Sequence, residues 1–195
     1  MSVASFFLIN CCMKKILSGK ILVAEPFFKD PNFGRSIILM CEHSDAGSIG
    51  FTLQNKSAYT LEGLLESAEG LDIPVFIGGP VEQNVLHFIH QMPDKIPNSD
   101  YVTDSICWGG DLSIAIQVLQ KDPSLQSKIK FFLGYAGWGS GQLAEEIKLK
   151  TWFLANSNPC LIFNTPYDSV WKNSLPLLGK DYEWMLNAPS DPLLN

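Results

Sequence analysis

Residues 130–146 read KFFLGYAGWGSGQLAEE, and the rest of the chain is best interpreted outward from this stretch. Residues 129–135 form a short apolar run of β-forming side chains, which predicts a strand. Glycines at 137, 139 and 141 predict a tight loop, and residues 142–150 then carry helix formers with apolar side chains four apart. A strand, a glycine loop and a helix start aim free backbone N–H groups at one point, so this junction is a candidate anion site.

The composition predicts one compact domain. The chain has 195 residues, of which 46% are hydrophobic and 17% are charged, and this is enough for one sizeable core. A net charge of −6 argues against nucleic-acid binding driven by contacts with the phosphate backbone. No predicted helix carries the clustered basic and amide side chains that read DNA bases, so we expect no direct DNA binding.

The five cysteines indicate a reducing compartment. Their number is odd and no two form a CxxC pair, so the sequence predicts neither a disulfide framework nor a zinc site. Lysines follow the apolar start of the chain instead of preceding it, unlike a secretory signal. We therefore expect a cytoplasmic protein without membrane contact. Residues 1–17 are interpreted as a variable extension, with Met13 as an alternative translation start to Met1.

Periodicity and punctuation predict an α+β fold. Predicted strands lie at residues 21–24, 36–41, 49–54, 75–77, 86–90 and 160–163. Residues 42–47 are expected to join the second and third of these as an antiparallel hairpin. Helices are predicted after the capping residues Thr60, Asp111 and Thr165, and Pro166 would be the first residue of the last helix. Consecutive strands with few helices favour α+β over an alternating βαβ series.

Several short motifs follow one another between residues 19 and 171. They are GKILVAEP at 19–26, DPxF at 30–33, SII at 36–38, EH at 42–43, GxxG at 47–50, GGPV at 78–81, LGYAxWxxGQLxxE at 133–146 and IFxTPxxxxW at 162–171. Together they resemble the AlgH/YqgE-like family of bacterial proteins. The resemblance implies a single α+β domain over residues 18–188, whose bifurcated, mixed or antiparallel sheet folds into a pseudo-barrel with flanking helices. It also implies a cytosolic protein of no established activity, in a family named for regulation of alginate synthesis. Residues 189–195 are expected to be a disordered tail.

Two patterns resemble a cofactor site and a metal site, but each lacks a feature that such a site requires. Residues 139–144 match the dinucleotide fingerprint GxGxx[GA], but the acidic residue that should follow roughly twenty positions later is missing. His87 and His90 resemble a metal pair, but on a strand their side chains point to opposite faces. We predict no cofactor and no metal site.

The candidate ligand site is the glycine loop with its flanks. Its residues are Tyr135, Gly137, Trp138, Gly139, Ser140, Gly141 and Gln142. Glu145 and Glu146 follow at once and would repel a phosphate. The alternative explanation is structural: the glycines let a strand turn sharply and pack its aromatic side chains closely.

Glu42 and His43 are the candidate catalytic residues. A carboxylate beside an imidazole can tune a proton donor near neutral pH, and the same pair could instead bond loop backbone and fix the hairpin. Cys41 could share a face with His43 as a nucleophile, although cysteine is among the residues most often buried, so that inert packing is the favoured interpretation.

Two hypotheses of function follow. The first is a non-enzymatic binding or regulatory protein, which holds a small anionic ligand or a protein partner at the loop 137–141. The second is an enzyme that acts on a phosphate-bearing or acyl substrate through Glu42 and His43, with Tyr135 or Ser140 assisting.

Overall fold

The fold is organised around one long strand, β9 (Ile129–Gly139), in a computed structural model that describes residues 17–189. The other strands are β1 (Lys20–Ala24), β2 (Ile37–Ser44), β3 (Gly47–Thr52), β4 (Lys56–Thr60), β5 (Pro74–Ile77), β6 (Val81–His90), β7 (Asp100–Thr103), β8 (Ile106–Trp108) and β10 (Trp152–Asn156). The apolar run 129–135 is a strand as predicted, but the strand continues through Gly137 and Gly139. The predicted glycine loop therefore shrinks to a turn at residues 140–141.

Strand β9 belongs to both halves of a ten-stranded sheet. Residues 136–139 pair with β3, which leads through β2 and β1 to the end strand β10. Residues 129–135 pair with β6, which leads through β8 to the end strand β7. On its other side, residues 131–133 pair with β5, which carries β4. The pair of β5 with β9 is parallel and the other pairs are antiparallel.

This topology confirms the α+β class and the bifurcated, mixed sheet. One part of the resemblance needs correction. Within the described residues the end strands β10 and β7 do not pair with each other, so the sheet is not closed into a barrel. The reason is that β9 divides its hydrogen bonds among three neighbours, so the strands branch instead of forming a ring.

Gly79 lies where the sheet branches. A Cβ at this position would collide with the backbone of Tyr135 and Ala136. The preceding residue, Gly78, donates its N–H to the Leu133 carbonyl at 2.8 Å and accepts the Thr52 N–H at 2.9 Å. Such a close approach of backbone to backbone requires glycine, so the GGPV motif has a structural role at the branch point.

Short helices cover the sheet. They are α1 (Leu61–Leu64), α2 (Leu112–Lys121), α3 (Gln142–Lys148) and α4 (Val170–Ser174), with 3-10 turns at Glu66–Ala68, Pro123–Lys128, Leu175–Leu178 and Lys180–Asn187. Three clusters of buried apolar side chains hold these elements together. The first joins Phe51 and Phe132 to α4, the second joins Phe131 to α2, and the third joins Trp152 to α3.

The predicted helix caps have different outcomes. Asp111 caps α2 as predicted, because its Oδ1 accepts the N–H groups of Ser113 at 3.0 Å and Ile114 at 3.1 Å. Thr60 precedes α1 but makes no side-chain cap, and the predicted helix breaks after Leu64. The first N–H groups of α1 donate to the backbone carbonyls of residues 71 and 73 instead, so no cap is needed.

The segment after β10 is more helical than predicted. The expected strand at residues 160–163 is wrong, because Cys160–Asn164 forms a wide helical turn. The Asn158 Oδ1 accepts the Leu161 N–H at 2.8 Å and thereby favours a helical start. The expected cap at Thr165 is also wrong, because its Oγ1 donates back to the Cys160 carbonyl at 3.3 Å and α4 begins only at Val170.

Some expectations lie outside the described residues. These are the extension 1–17 apart from its last residue, the choice between Met1 and Met13, and the tail beyond residue 189. Between residues 17 and 189, no helix combines the length and the apolar character that crossing a membrane requires. Cys41, Cys107 and Cys160 are free thiols.

Candidate functional site

Three neighbouring strands bring the two predicted sites together. Strand β2 runs to Ser44, so the predicted connection 42–47 is only a two-residue turn, and Glu42 and His43 are strand residues. Glu42 pairs with Ile49 of β3, and Ile49 pairs with Gly137 of β9. The glutamate and the glycine segment, which are far apart in sequence, therefore lie in one row across the sheet.

A depression of about 340 Å³ lies over this row. Its walls come from β2, β3, β9, the turn between β2 and β3, and the start of β6; they are Glu42, Ser44, Ala46, Gly47, Ser48, Ile49, Val81, Tyr135, Gly137 and Trp138. Glu42 is the single charged residue among them. Within residues 17–189, this carboxylate forms no ion pair.

Gly137 keeps the depression open. It is exposed, and a Cβ built on it would lie 3.1 Å from Cε2 of the Tyr135 ring and 3.7 Å from Cγ2 of Val81. A larger side chain there would occupy the space between β9 and β6 and displace the tyrosine ring. The absence of a side chain at this position thus creates room, whereas at Gly79 it permits contact between backbones.

The predicted ligand-binding residues divide into two groups. Tyr135, Gly137 and Trp138 line the depression. The remaining predicted residues are not part of its walls: Gly139, Ser140, Gly141 and Gln142. Walls that the sequence analysis missed, such as Ile49 and Val81, come from other strands, and no signal in the sequence marks them.

The turn after β9 uses its polar groups internally. The Gly139 N–H donates to Oε1 of Gln142 at 3.1 Å, so this group is not free for a ligand. Gly141 precedes α3 with φ at 74°, a conformation that favours glycine and makes the sharp entry into the helix. These contacts favour the structural explanation of the glycines, in which they let the strand turn sharply into the helix.

Glu146 holds this region together and was missed as a key residue. Its Oε2 accepts the indole N–H of Trp138 at 2.9 Å and that of Trp152 at 2.8 Å, and its Oε1 accepts from Gln142 at 2.9 Å. One carboxylate therefore ties together β9, α3 and β10. Trp138 and Glu146 both belong to the motif at 133–146, but a motif does not show which of its side chains are in contact, so the sequence did not reveal this hydrogen bond.

Glu42 and His43 do not face the same space. Successive residues of a strand point to opposite faces, and the depression is lined by Glu42 but not by His43. Nδ1 of His43 lies 2.7 Å from Oγ of Ser48 on the neighbouring strand. Burial lowers the pKa of His43 below its ordinary 6.5, and the nearby Asp45 partly opposes this effect. The carboxylate that acts on the imidazole is thus Asp45 and not Glu42.

Cys41 is a packing residue. It belongs to the first core cluster, and a β-bulge between Met40 and Glu42 interrupts the alternation of the strand. His43 bonds to Ser48, and Ser48 pairs with Trp138, which belongs to the third core cluster. His43 and Cys41 therefore lie on opposite faces of the sheet. Burial raises the pKa of the Cys41 thiol well above its ordinary value, which leaves it inert as a nucleophile.

The two histidines of β6 do point to opposite faces, as predicted. His87 packs against the rings of Phe51 at 5.4 Å and Tyr135 at 5.9 Å. His90 is on the other face, where its Nδ1 accepts the Met92 N–H at 3.0 Å and its Nε2 lies 2.9 Å from Oγ of Ser99. In the part of the chain that the structure describes, no three His, Cys, Asp or Glu side chains are grouped to hold a metal ion.

Known protein sequences match this chain over most of its length. The model of the family described as AlgH-like (DUF179) matches residues 21–183. A UPF0301 protein of Parabacteroides distasonis is 39% identical over 181 residues, covering 92% of this chain and 91% of that protein. One from Chlorobium luteolum is 34% identical over 182 residues, covering 93% and 96% of the two chains.

Two solved structures share the fold. The crystal structure of a Corynebacterium diphtheriae protein superposes with a TM-score of 0.72 at 23% identity, over 87% of this chain and 91% of that one. The solution structure of the AlgH protein from Pseudomonas aeruginosa gives 0.68 at 21% identity, over 89% and 94%. With matches to the family model and to these relatives over most of its length, the chain belongs to the AlgH-like family.

Proposed function

We propose that this protein is a non-enzymatic binding protein with a regulatory role, and that a segment of a partner protein occupies the depression beside Gly137. The observation that carries the proposal is the convergence of Glu42, Tyr135 and Gly137 on one open cavity. A shallow site with an aromatic wall and a single charge suits a peptide segment better than a reaction centre.

The charge of the site favours a protein partner over a small anionic ligand. Glu42 would repel an anion, and one backbone donor at the end of β9, the Gly139 N–H, already bonds Gln142. A basic side chain or a free N–H of a partner would complement Glu42 instead. A net charge of −6 also favours protein over DNA as the partner.

The same geometry gives less support to an enzyme acting through Glu42 and His43. General acid–base catalysis requires both groups to reach one substrate, and these side chains point to opposite faces of β2. The free thiols at Cys41, Cys107 and Cys160 fit a reducing compartment, and we propose that the protein acts in the cytoplasm.

Affinity capture with variant baits tests the proposal. The wild-type protein is compared with Gly137→Val, which fills the depression, and with Glu42→Lys, which reverses its charge. Gly139→Ala is the matched control, because a Cβ at this exposed glycine of the same strand meets only Oε1 of Gln142, at 3.9 Å. Melting curves establish that all four baits are folded.

We expect at least one protein to be captured by the wild type and Gly139→Ala and lost from both depression variants. Identical sets of captured proteins for all four baits would contradict a binding site in the depression.

A further inference from the structure

Lys130 is a buried cation without an anionic partner. It lies in β9, only 9% of its surface is exposed, and within residues 17–189 its ammonium forms no ion pair. Nζ makes one long hydrogen bond, to the Leu53 carbonyl at 3.4 Å, and lies 4.7 Å from the centre of the Phe76 ring. An ammonium group has three N–H donors, so two of them have no acceptor in the described protein.

A cavity of about 300 Å³ adjoins this lysine. It is lined by Ile73, Pro74, Phe76, Gln126, Ile129, Lys130, Phe163, Asn164, Thr165, Pro166 and Tyr167. Lys130 is the single charged residue of the lining, and three aromatic side chains contribute to the walls. On the outer side, Nζ of Lys56 lies 5.9 Å from the centre of the Tyr167 ring, which places a second cation near the rim.

Lys130 gives this cavity a positive charge that no anion of the described residues balances. A charge that is buried without a partner is unfavourable, and an anion placed in the cavity would both pair with the ammonium and accept its free N–H bonds. The amides of Gln126 and Asn164 are further donors in the lining. The aromatic and aliphatic walls suit a flat apolar body attached to that anion.

We propose that this cavity binds a small aromatic carboxylate, whose carboxylate group pairs with Lys130 and whose ring packs against Phe76, Phe163 and Tyr167. The site involves the first half of β9 and the segment before α4, whereas the depression lies over its second half. It is therefore independent of the partner site proposed above, and either proposal can fail without the other.

Calorimetric titration of the purified full chain with 2-naphthoate tests the site, with 2-naphthamide as the uncharged analogue. The key variant is Lys130→Gln, which removes the charge and keeps a polar side chain. Lys128→Gln is its matched control, because Lys128 is exposed, lies two residues away and is not part of the lining. Lys130→Met is a second variant in case the glutamine is poorly accommodated in the apolar surroundings.

We expect the wild type and Lys128→Gln to bind 2-naphthoate with equal affinity, and both Lys130 variants to lose roughly tenfold or more. The amide should bind all four proteins as weakly as the acid binds the Lys130 variants. Amide-proton NMR shifts caused by the acid should centre on residues 73–76 and 163–167.

The pH dependence separates an ion pair from simple ring burial. Burial lowers the pKa of Lys130 to about 8; Tyr167 is the other titratable residue of the lining, and Lys56 lies against its ring. The affinity of the wild type should fall as pH rises above about 8, and that of Lys130→Gln should stay constant across the same range. Equal binding of acid and amide, unchanged affinity in both Lys130 variants, or no heat and no NMR shifts at about 10 mM acid would each overturn the proposal.

Discussion

Replacing Lys130 with methionine should stabilise the protein near neutral pH. The lysine side chain is buried beside the Phe76 ring, and methionine preserves most of its volume while removing the buried charge. The ammonium has no anionic partner in the described chain, and its one hydrogen bond, to Leu53, is long at 3.4 Å. The substitution therefore removes an unfavourable burial and little compensating interaction.

The size of the effect follows from the pKa. Burial lowers the pKa of Lys130 from an ordinary 10.5 to about 8, which corresponds to about 3.5 kcal/mol at roughly 1.4 kcal/mol per pKa unit. The contact with the Phe76 ring at 4.7 Å offsets about 1 kcal/mol of this cost. We expect Lys130→Met to raise the free energy of unfolding by about 2.5 kcal/mol, and the melting temperature by roughly 5–10 °C.

Urea unfolding as a function of pH measures this difference. The unfolded chain keeps the Lys130 proton up to about pH 10.5, whereas the folded chain releases it near pH 8. The wild type therefore gains stability relative to Lys130→Met as pH rises through this window, and the advantage of the variant should shrink. Lys128→Met, at the exposed neighbour, should change the free energy of unfolding by no more than about 0.5 kcal/mol.

Two results would refute this reasoning. A loss of about 1 kcal/mol or more in Lys130→Met near neutral pH would mean that the folded protein compensates the ammonium. A gain in stability that is constant between pH 8 and pH 10.5 would mean that the gain arises from packing instead of charge.

Three further predictions concern the framework of the fold. Glu146→Gln should lower the free energy of unfolding by about 1–3 kcal/mol in a urea titration, because two indole N–H groups lose a charged acceptor. Glu145→Gln, which breaks only an exposed ion pair with Lys148, should change it by less than about 0.5 kcal/mol. Gly79→Ala should cost more than about 3 kcal/mol or prevent folding, while Gly63→Ala, whose Cβ would meet only Oγ1 of Thr60 at 3.4 Å, should leave the circular dichroism melting curve nearly unchanged. Burial lowers the pKa of His90 below 6.5, so the unfolded chain takes up a proton at this histidine at a higher pH than the folded chain does. The folded protein should therefore lose stability as pH falls below 6.5, and melting curves of His90→Gln should show a smaller loss over the same range.

Local signals in the sequence predicted much of the sheet. The hairpin of β2 and β3 follows from two apolar runs around a short polar connection, and its pairing forms over a few residues. The start of α2 follows from Asp111, whose carboxylate reaches the N–H groups two and three residues ahead. Both features depend on neighbours in sequence, so a sequence alone reveals them.

The glycine stretch shows where local reasoning fails. Gly137 and Gly139 tolerate turn conformations, but they continue β9 because Ile49 and Gly47 of β3 provide the pairing partners. The predicted turn therefore included residues 137–139, which are part of the strand, and only residues 140–141 form a turn. The convergence of Glu42 with Gly137 depends on the same register across three strands, which no single segment encodes.

Lys130 left a detectable trace in the sequence. It is the single charged residue in the otherwise apolar run 129–135, and a lysine inside a strand that is buried on both faces must find a partner or a cavity. The cavity itself was not predictable, because its walls come from segments around residues 73–76, 126–130 and 163–167. The last of these was expected to form a strand and a capped helix, so the surroundings of the lysine were misplaced.

The central claim, that a partner protein occupies the depression beside Gly137, is tested most directly by photocrosslinking in cells. A photoreactive amino acid replaces Ala46, an exposed residue of the depression wall, and a control protein carries it at the exposed Ser124, which is not part of that wall. We predict a light-dependent adduct with one partner protein from position 46, absent from position 124 and strongly reduced when Gly137→Val is added. Adducts of equal yield from both positions, or an adduct at position 46 that Gly137→Val leaves unchanged, would contradict it.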